Sequence, residues 1–252
     1  MRLSDAFVTP WDDRGAFRLA VLTRWRYCAP SSPRATDAML KPLSLALPLL
    51  GLFAASAHAR ATSTADTPGV FDFYVLSLSW SPSYCLANPG DVQCTGKGYG
   101  FVLHGLWPQY AGNRWPQFCG PVTPLRPQER TQGMALFPSP RLLDHEWKKH
   151  GTCSGLGARG YLDAADRALA AVAIPTQLEP SANAQRMSAS QVKALFQQRN
   201  PGIGPNGIAV YCTRHQLAEV RICLSKDLAP VDCGAPLKGQ CKQNDLLVPG
   251  VR

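Results

Sequence analysis

Residues 144–153 read DHEWKKHGTC. Ten positions hold two imidazoles, two carboxylates, two ammonium groups and a cysteine. On a helix at about 100° per residue, His145, Lys149, Glu146 and His150 fall within an arc of about 140°. Trp147 and Lys148 point elsewhere. Three chemistries fit that arc. It could be a solvated charged face. It could be a metal site, although a HExxH pair needs a second His where this chain has Lys149, and an ammonium group opposes a cation. Or it could move protons at a charged reacting group, with His as acid or base and Lys stabilising developing negative charge. A second stretch, residues 101–108, reads FVLHGLWP. His104 falls where a strand is expected to end, Gly105 lets the backbone turn close to a ligand, and Trp107 offers a flat face. Taken alone, a core His beside a core Trp explains this stretch equally well. Taken with the helix, it adds a third imidazole. In-line cleavage at phosphorus needs two: one takes a proton from the attacking oxygen, the other gives one to the leaving oxygen.

These groups must be positioned by surrounding elements. Residues 71–80, FDFYVLSLSW, predict a strand with Tyr74, Leu76, Leu78 and Trp80 on one face, ended by Pro82. Residues 83–98 are expected to form a loop carrying Cys85 and Cys94, and residues 99–103 a second short strand. Residues 108–140, rich in Pro, Gly and Gln, are expected to be irregular. A helix is predicted over 141–150 with Gly151 as its stop. Further helices are expected over 161–172 and 188–199, the latter broken by Asn200-Pro201-Gly202. Residues 208–212 and 217–224 predict two strands joined by a turn at 213–216, and the tail reads as loop. No repeat or linker interrupts 71–252, so one α+β domain is expected.

The 252 residues carry a formal charge of +9 and are 45% hydrophobic, enough for a sizeable core. From Met39 the chain reads MLKPLSLALPLLGLFAASAHA, a secretory signal peptide over 39–59 with Ala57-His58-Ala59 as cleavage site. Its apolar run is shorter than the about 20 residues of a membrane anchor. Signal peptides begin at a chain start, so residues 1–38 are expected to be an upstream extension from a misplaced start. Residues 1–59 hold seven Lys+Arg and four Asp+Glu, which leaves 19 basic against 13 acidic residues in 60–252. The basic balance persists and suits an acidic partner. Cys28 lies in the leader, and the mature region keeps eight cysteines. After a signal peptide that even count implies four disulfides, in any of 105 pairings.

FVLHGLWP and HEWKKHGTC resemble the two active-site segments of the ribonuclease T2 family, in order and nearly throughout. FYVLSLSWSPSYC is similar to that family's opening strand and first cysteine, and AEVRICLSKDL to its late strand. The resemblance runs from about residue 71 to residue 241. It implies an α+β fold, a central antiparallel sheet with flanking helices. It implies cleavage of single-stranded RNA, not DNA, with little base preference and with neither metal nor cofactor. Carried over by motif, His104 would be general acid to the 5′-oxygen and His150 general base on the 2′-hydroxyl. His145 would bind the phosphate, and Glu146 and Lys149 would stabilise the transition state. The roles of the two imidazoles reverse when the 2′,3′-cyclic phosphate is hydrolysed to a 3′-phosphate. Trp107 would stack a base, with Trp115 as a second wall. Gln109 stands where some members carry a base-reading Asp. Tyr110 reads as loop.

The resemblance further implies the pairs Cys85–Cys94, Cys119–Cys153, Cys212–Cys241 and Cys223–Cys233. The leader and the absence of an N-x-[ST] sequon fit a periplasmic or secreted bacterial member, free of the membrane after cleavage. No feature marks a stable oligomer, so a monomer is expected. Lys148, Arg114 and Arg159 are candidate phosphate contacts that also suit an ordinary charged surface. Two rival functions remain: a catalytically silent RNA-binding protein on the same fold, and a metal-dependent phosphoesterase.

Overall fold

FYVLSLSW alternates large apolar residues with Val and Ser, so as a strand it has two unlike faces. In the computed structural model, which describes residues 66–112, 114–234 and 237–252, this segment is β1, Phe73–Trp80. Tyr74, Leu76, Leu78 and Trp80 are each at most 2% exposed and join the main core. Val75 and Ser77 on the opposite face are buried too. Both faces of β1 are therefore covered, one by apolar side chains and one by a partly polar cluster.

β1 pairs antiparallel with β2, Phe101–Gln109, on one side and with β5, Gln216–Leu224, on the other. β4, Ile208–Thr213, also pairs antiparallel with β5. Arg214 and His215 make the turn between them, both with positive φ, as a two-residue hairpin requires. The short strands β3, Gln185–Met187, and β6, Leu246–Val248, complete a sheet ordered β2-β1-β5-β6-β3, with β4 beside β5. The pairing is antiparallel apart from one parallel pair, Gln216 with Leu247. The fold is α+β, as expected.

Helices α1 (Ser81–Ala87), α2 (Pro127–Leu136), α3 (Pro140–Lys149), α4 (Gly157–Ala170) and α5 (Ala189–Arg199) surround the sheet. Two of them replace expected loops. α1 lies within the stretch read as strand end and loop, and α2 within the irregular 108–140. In both, a proline sits in the first turn, where its missing N–H costs nothing and its fixed φ suits the helix; Pro82 was expected to end the strand, and the Pro-rich composition of 108–140 to keep that stretch irregular. α2 is further set by Glu129, whose Oε2 accepts the Arg126 backbone N–H at 2.8 Å. The tail is not all loop. β6 buries Leu246 and Val248, and Trp80 Nε1 donates to the Pro249 carbonyl at 3.0 Å.

The described residues fall within one compact unit, Arg60–Arg252. Four disulfides tie it: Cys85–Cys94, Cys119–Cys153, Cys212–Cys241 and Cys223–Cys233. The expected extension 1–38, the signal peptide 39–59 and Cys28 lie outside the described residues. Among the described residues, no helix is long and apolar enough to cross a membrane.

Candidate active site

The site begins with an irregularity. Ser77 of β1 opposes Gly105 of β2, but the next residue, Leu78, opposes Leu103. His104 is the extra residue of a β-bulge, the device that re-aims a side chain without ending a strand. The strand therefore does not stop at residue 103, as the sequence suggested. It runs on to Gln109. Pro108 is accommodated because β2 is an edge strand, where a missing N–H leaves no ladder bond broken. Directly opposed residues share a face, so Gly105 and Trp107, opposite Ser77 and Val75, lie on the Val75–Ser77–Ser79 face. The bulge brings His104 to that face as well: its Nδ1 is 3.2 Å from Ser79 Oγ.

α3 supplies the second group. Ser139 caps it, its Oγ accepting the Leu142 N–H at 3.3 Å, and Pro140 opens its first turn. Lys148 and Lys149 occupy the last turn, where cations favour the carbonyl end. Leu143 and Trp147 fix the helix in the main core, and Trp147 Nε1 donates to the Thr123 carbonyl at 2.8 Å. With that face inward, Glu146 is 1% exposed and Lys149 and His150 are buried, while His145 stays exposed at the flank. His150 caps the helix, its N–H donating to the Glu146 carbonyl at 3.0 Å. Gly151 is not a left-handed stop. It opens a 3₁₀ turn, Gly151–Ser154, and a Cβ there would lie 2.5 Å from Trp147 and 2.8 Å from Tyr161. The chain needs a glycine at 151 for packing, and it turns left-handed at Gly155 instead.

Gly105 is where strand and helix meet. Trp107 Nε1 donates to Glu146 Oε2 at 2.7 Å, and a Cβ on Gly105 would collide with both atoms. The Trp107 ring touches both inner imidazoles. Its centroid is 5.0 Å from that of His104, edge-on, and 5.3 Å from that of His150, tilted by 30°. His104 Nε2 faces Glu146 Oε1 at 3.9 Å.

Two functional candidates escaped the sequence reading. Glu219 and Arg221 lie on β5 opposite Ser79 and Ser77, hence on the face of His104. Glu219 Oε1 is 2.7 Å from His104 Nδ1. Glu219 Oε2 accepts from Arg221 Nε at 2.8 Å and Nη2 at 2.6 Å. The Arg221 guanidinium lies over the rings of Tyr211, at 3.9 Å, and Trp107, at 4.8 Å. The available signal was the pairing of polar alternations, Ser77/Ser79 in LSLSW and Glu219/Arg221 in AEVRI. Each alone looks like a solvent face; together, on two strands both rich in buried apolar residues, they mark a buried polar cluster.

The surroundings give the titratable groups unlike charge preferences. Burial opposes a charge on His104, but the adjacent Glu219 carboxylate outweighs it, and the imidazole pKa stands above its ordinary value. His150 is held well below, by burial and then by Lys149 and the other cations near it. Burial pushes the Glu146 carboxyl up to about 7, against the pull of His104, the Trp107 N–H and Lys149. Glu219 is buried as well, yet Arg221 and His104 hold it far below the usual carboxylate range. One imidazole thus favours the charged form and the other the neutral form, the division a general acid and a general base require.

The remaining candidates lie further out. Trp115 is 36% exposed in the segment after β2. The Gln109 side chain donates to the Pro108 carbonyl at 3.0 Å. Tyr110 lies in the loop just after β2, where its hydroxyl donates to Asp66 and its ring carries the Arg114 guanidinium at 4.6 Å. Arg159 pairs with Asp163 across 3.9 Å of exposed helix surface, and Lys148 is exposed. Among the described residues, no three His, Cys, Asp or Glu side chains are grouped to hold a metal ion.

Comparison with known proteins places this geometry in context. The model of the ribonuclease T2 family matches residues 71–233. A ribonuclease of Aeromonas hydrophila is 35% identical over 211 residues, 81% of this chain and 97% of that protein. Ribonuclease DdI of Dictyostelium discoideum is 27% identical over 73% of this chain and 89% of its own length. Among solved structures, RNase NT in complex with 5′-AMP superposes with a TM-score of 0.56 at 28% identity, covering 71% of this chain and 98% of that one. An RNase-related protein from Calystegia sepium, at 22% identity, shares the fold with a TM-score of 0.58 over 72% of this chain and 97% of its own.

Proposed function

Because this chain belongs to the ribonuclease T2 family and is thereby an endoribonuclease, we propose that it cleaves single-stranded RNA by transphosphorylation between two imidazoles, His150 as base and His104 as acid. One observation carries this reading: two imidazoles of opposite charge preference both contact the Trp107 indole.

In the first step neutral His150 takes the proton of the ribose 2′-hydroxyl. The 2′-oxygen attacks phosphorus, the bond from phosphorus to the 5′-oxygen breaks, and His104 gives its proton to that oxygen. The products are a 2′,3′-cyclic phosphate and a 5′-hydroxyl. In the second step His104 takes a proton from water, the water oxygen attacks phosphorus, the bond from phosphorus to the 2′-oxygen breaks, and His150 returns a proton to that oxygen, leaving a 3′-phosphate. Lys149 stabilises negative charge on the phosphoryl oxygens. Glu146, with a pKa near neutrality, can donate a hydrogen bond to one of those oxygens in its protonated form. Exposed His145 contacts the phosphate from the flank. The substrate brings its own nucleophile, so the chemistry asks for no metal and no covalent enzyme intermediate. DNA, lacking the 2′-hydroxyl, is inert.

Trp107 provides an aromatic surface for a base, with Trp115 and Gln109 beside the path of the strand. Stacking accepts every base, in keeping with low base specificity. Four disulfides suit an oxidising compartment. They support export of the enzyme to the periplasm or beyond.

The test is digestion of RNA by the oxidised protein in EDTA, with products resolved by mass, beside His104→Ala and His150→Ala. The expected result is cyclic-phosphate ends from the wild type and none from either variant. Activity lost in EDTA, or surviving either substitution, would sink the two-imidazole mechanism. RNA binding without cleavage by the wild type would favour a silent binder.

A further inference from the structure

The proton transfers above leave Glu219 and Arg221 without a task. Yet Glu219 is a carboxylate 3% exposed on the face of a sheet, a costly place for a charge unless it is paired and fully hydrogen-bonded. Its two oxygens divide their work. Oε2 accepts from Arg221 Nε and Nη2, and from Ser77 Oγ at 3.3 Å. Oε1 meets His104 Nδ1 at 2.7 Å and Ser79 Oγ at 3.4 Å. An ionised carboxylate only accepts, so Nδ1 is the donor and carries the hydrogen. Nε2 is then the atom left to exchange a proton, and it faces α3 and Glu146.

We propose that Glu219, clamped by Arg221, is a positioning residue for leaving-group protonation: it fixes the tautomer and ring orientation of His104 so that Nε2 delivers the proton. This rests on the reading of His104 as general acid. Arg221 fits the role of clamp because it is itself held, between the Tyr211 and Trp107 rings. The carboxylate thus cannot turn Oε1 away from the imidazole without breaking the Arg221 contacts. The charged and titratable groups around His104 are Glu219 and Arg221 from β5, and Glu146, Lys149 and His150 from α3.

The test uses two substrates that differ only in how much the leaving group needs a proton. A dinucleoside phosphate expels an alkoxide, which must be protonated. Uridine 3′-(4-nitrophenyl phosphate) expels a phenolate that departs without one. Glu219→Gln keeps the shape of the side chain and removes its charge. The expected result is a loss in kcat/KM of about 10²-fold on the dinucleotide, the scale of general-acid catalysis, and of about threefold or less on the aryl ester. The basic limb of the dinucleotide pH profile should also move to lower pH, because the carboxylate that favours the imidazolium is gone. Equal losses on both substrates with an unmoved limb would overturn the proposal and leave Glu219 a structural residue. Ser79→Ala, a milder change at the same Oε1 and Nδ1 atoms, should give a smaller loss with the same substrate preference. It carries the comparison if Glu219→Gln does not fold; a substrate-independent loss there also overturns the proposal. His104→Ala separates the two readings. If it spares the aryl ester, His104 is the acid; if it abolishes both activities equally, the assignment of His104 fails, not the link to Glu219.

Discussion

His104 and Trp107 stand three residues apart on one strand, yet their rings meet at 5.0 Å on one face of the sheet. In an unbroken strand residues three apart point to opposite faces. The bulge at His104 removes that opposition. It lets one short segment supply both an imidazole and the indole that bonds Glu146, while Leu103 and Leu106 remain in the apolar core.

Gly105 is the position on which this arrangement is most easily tested. A methyl group there collides with Glu146 Oε2 and Trp107 Nε1, so the bond between them must open and α3 must shift. We expect Gly105→Ala to lower kcat/KM by about 10²-fold through misplacement of Glu146 and His150. Overpacking should cost about 1–3 kcal/mol, read from denaturant unfolding. A variant with wild-type kcat/KM would show that the strand–helix contact is irrelevant to activity.

The charge preferences predict the shape of the pH profile. His150 must be neutral to act as base, and its pKa is depressed, so kcat/KM should hold well below pH 6.5. His104 must be protonated, and its pKa is raised, so the basic limb should lie above 6.5. An acid limb at or above 6.5 would contradict the burial of His150.

Glu146 makes a separate prediction for stability. Its carboxyl titrates at about 7 in the fold against 4.5 for the ordinary group. The folded state therefore binds the extra proton between these values. The stabilisation is fully present below 4.5 and is lost as pH rises through about 7, on the order of 3 kcal/mol. Glu146→Gln should gain on the wild type in unfolding free energy over that window. Parallel curves for the two proteins would refute it.

Cys119–Cys153 joins the loop after β2 to the turn after α3, and the Phe118 N–H bonds the Lys149 carbonyl at 2.9 Å beside it. Opening the bridge in a Cys119→Ser, Cys153→Ser double variant should cost about 2–5 kcal/mol and lower specific activity, because Lys149 and His150 sit at the loosened end. Full specific activity in the folded variant would mean the bridge serves stability alone.

The basic excess bears on substrate capture. If Lys and Arg meet the phosphates, kcat/KM for long RNA falls as salt rises, in proportion to the number of contacts. A flat response between low and physiological salt would assign that charge to the general surface.

The parts of the site set by local rules were legible in the sequence. Glu146, Lys149 and His150 share an inward arc of α3 because helical spacing dictates it, and the β4–β5 hairpin followed from two apolar runs around a short turn. The bulge was not legible. It exists only in the register of β2 against β1, so His104 was taken for a strand end. Glu219 and Arg221 were missed for a related reason: a polar residue alternating in a strand has the pattern of a solvent face, and only the neighbouring strands show it covered. Pro82 misled because proline both ends strands and begins helices, and the Pro-rich composition of 108–140 hid α2 for the same reason. β3 and β6, three residues each, are too short to show any period.

The sheet order sets a clock on folding. β6 is made almost last, yet it lies between β5 and β3 rather than at an edge, and Trp80 near the front of the domain is anchored to Pro249 at its end. A ribosome must therefore release nearly the whole chain before the sheet can close. Until then the polypeptide has no finished fold to unravel. The same order implies that removing the last few residues should hinder maturation as a whole, rather than merely trim a loose end.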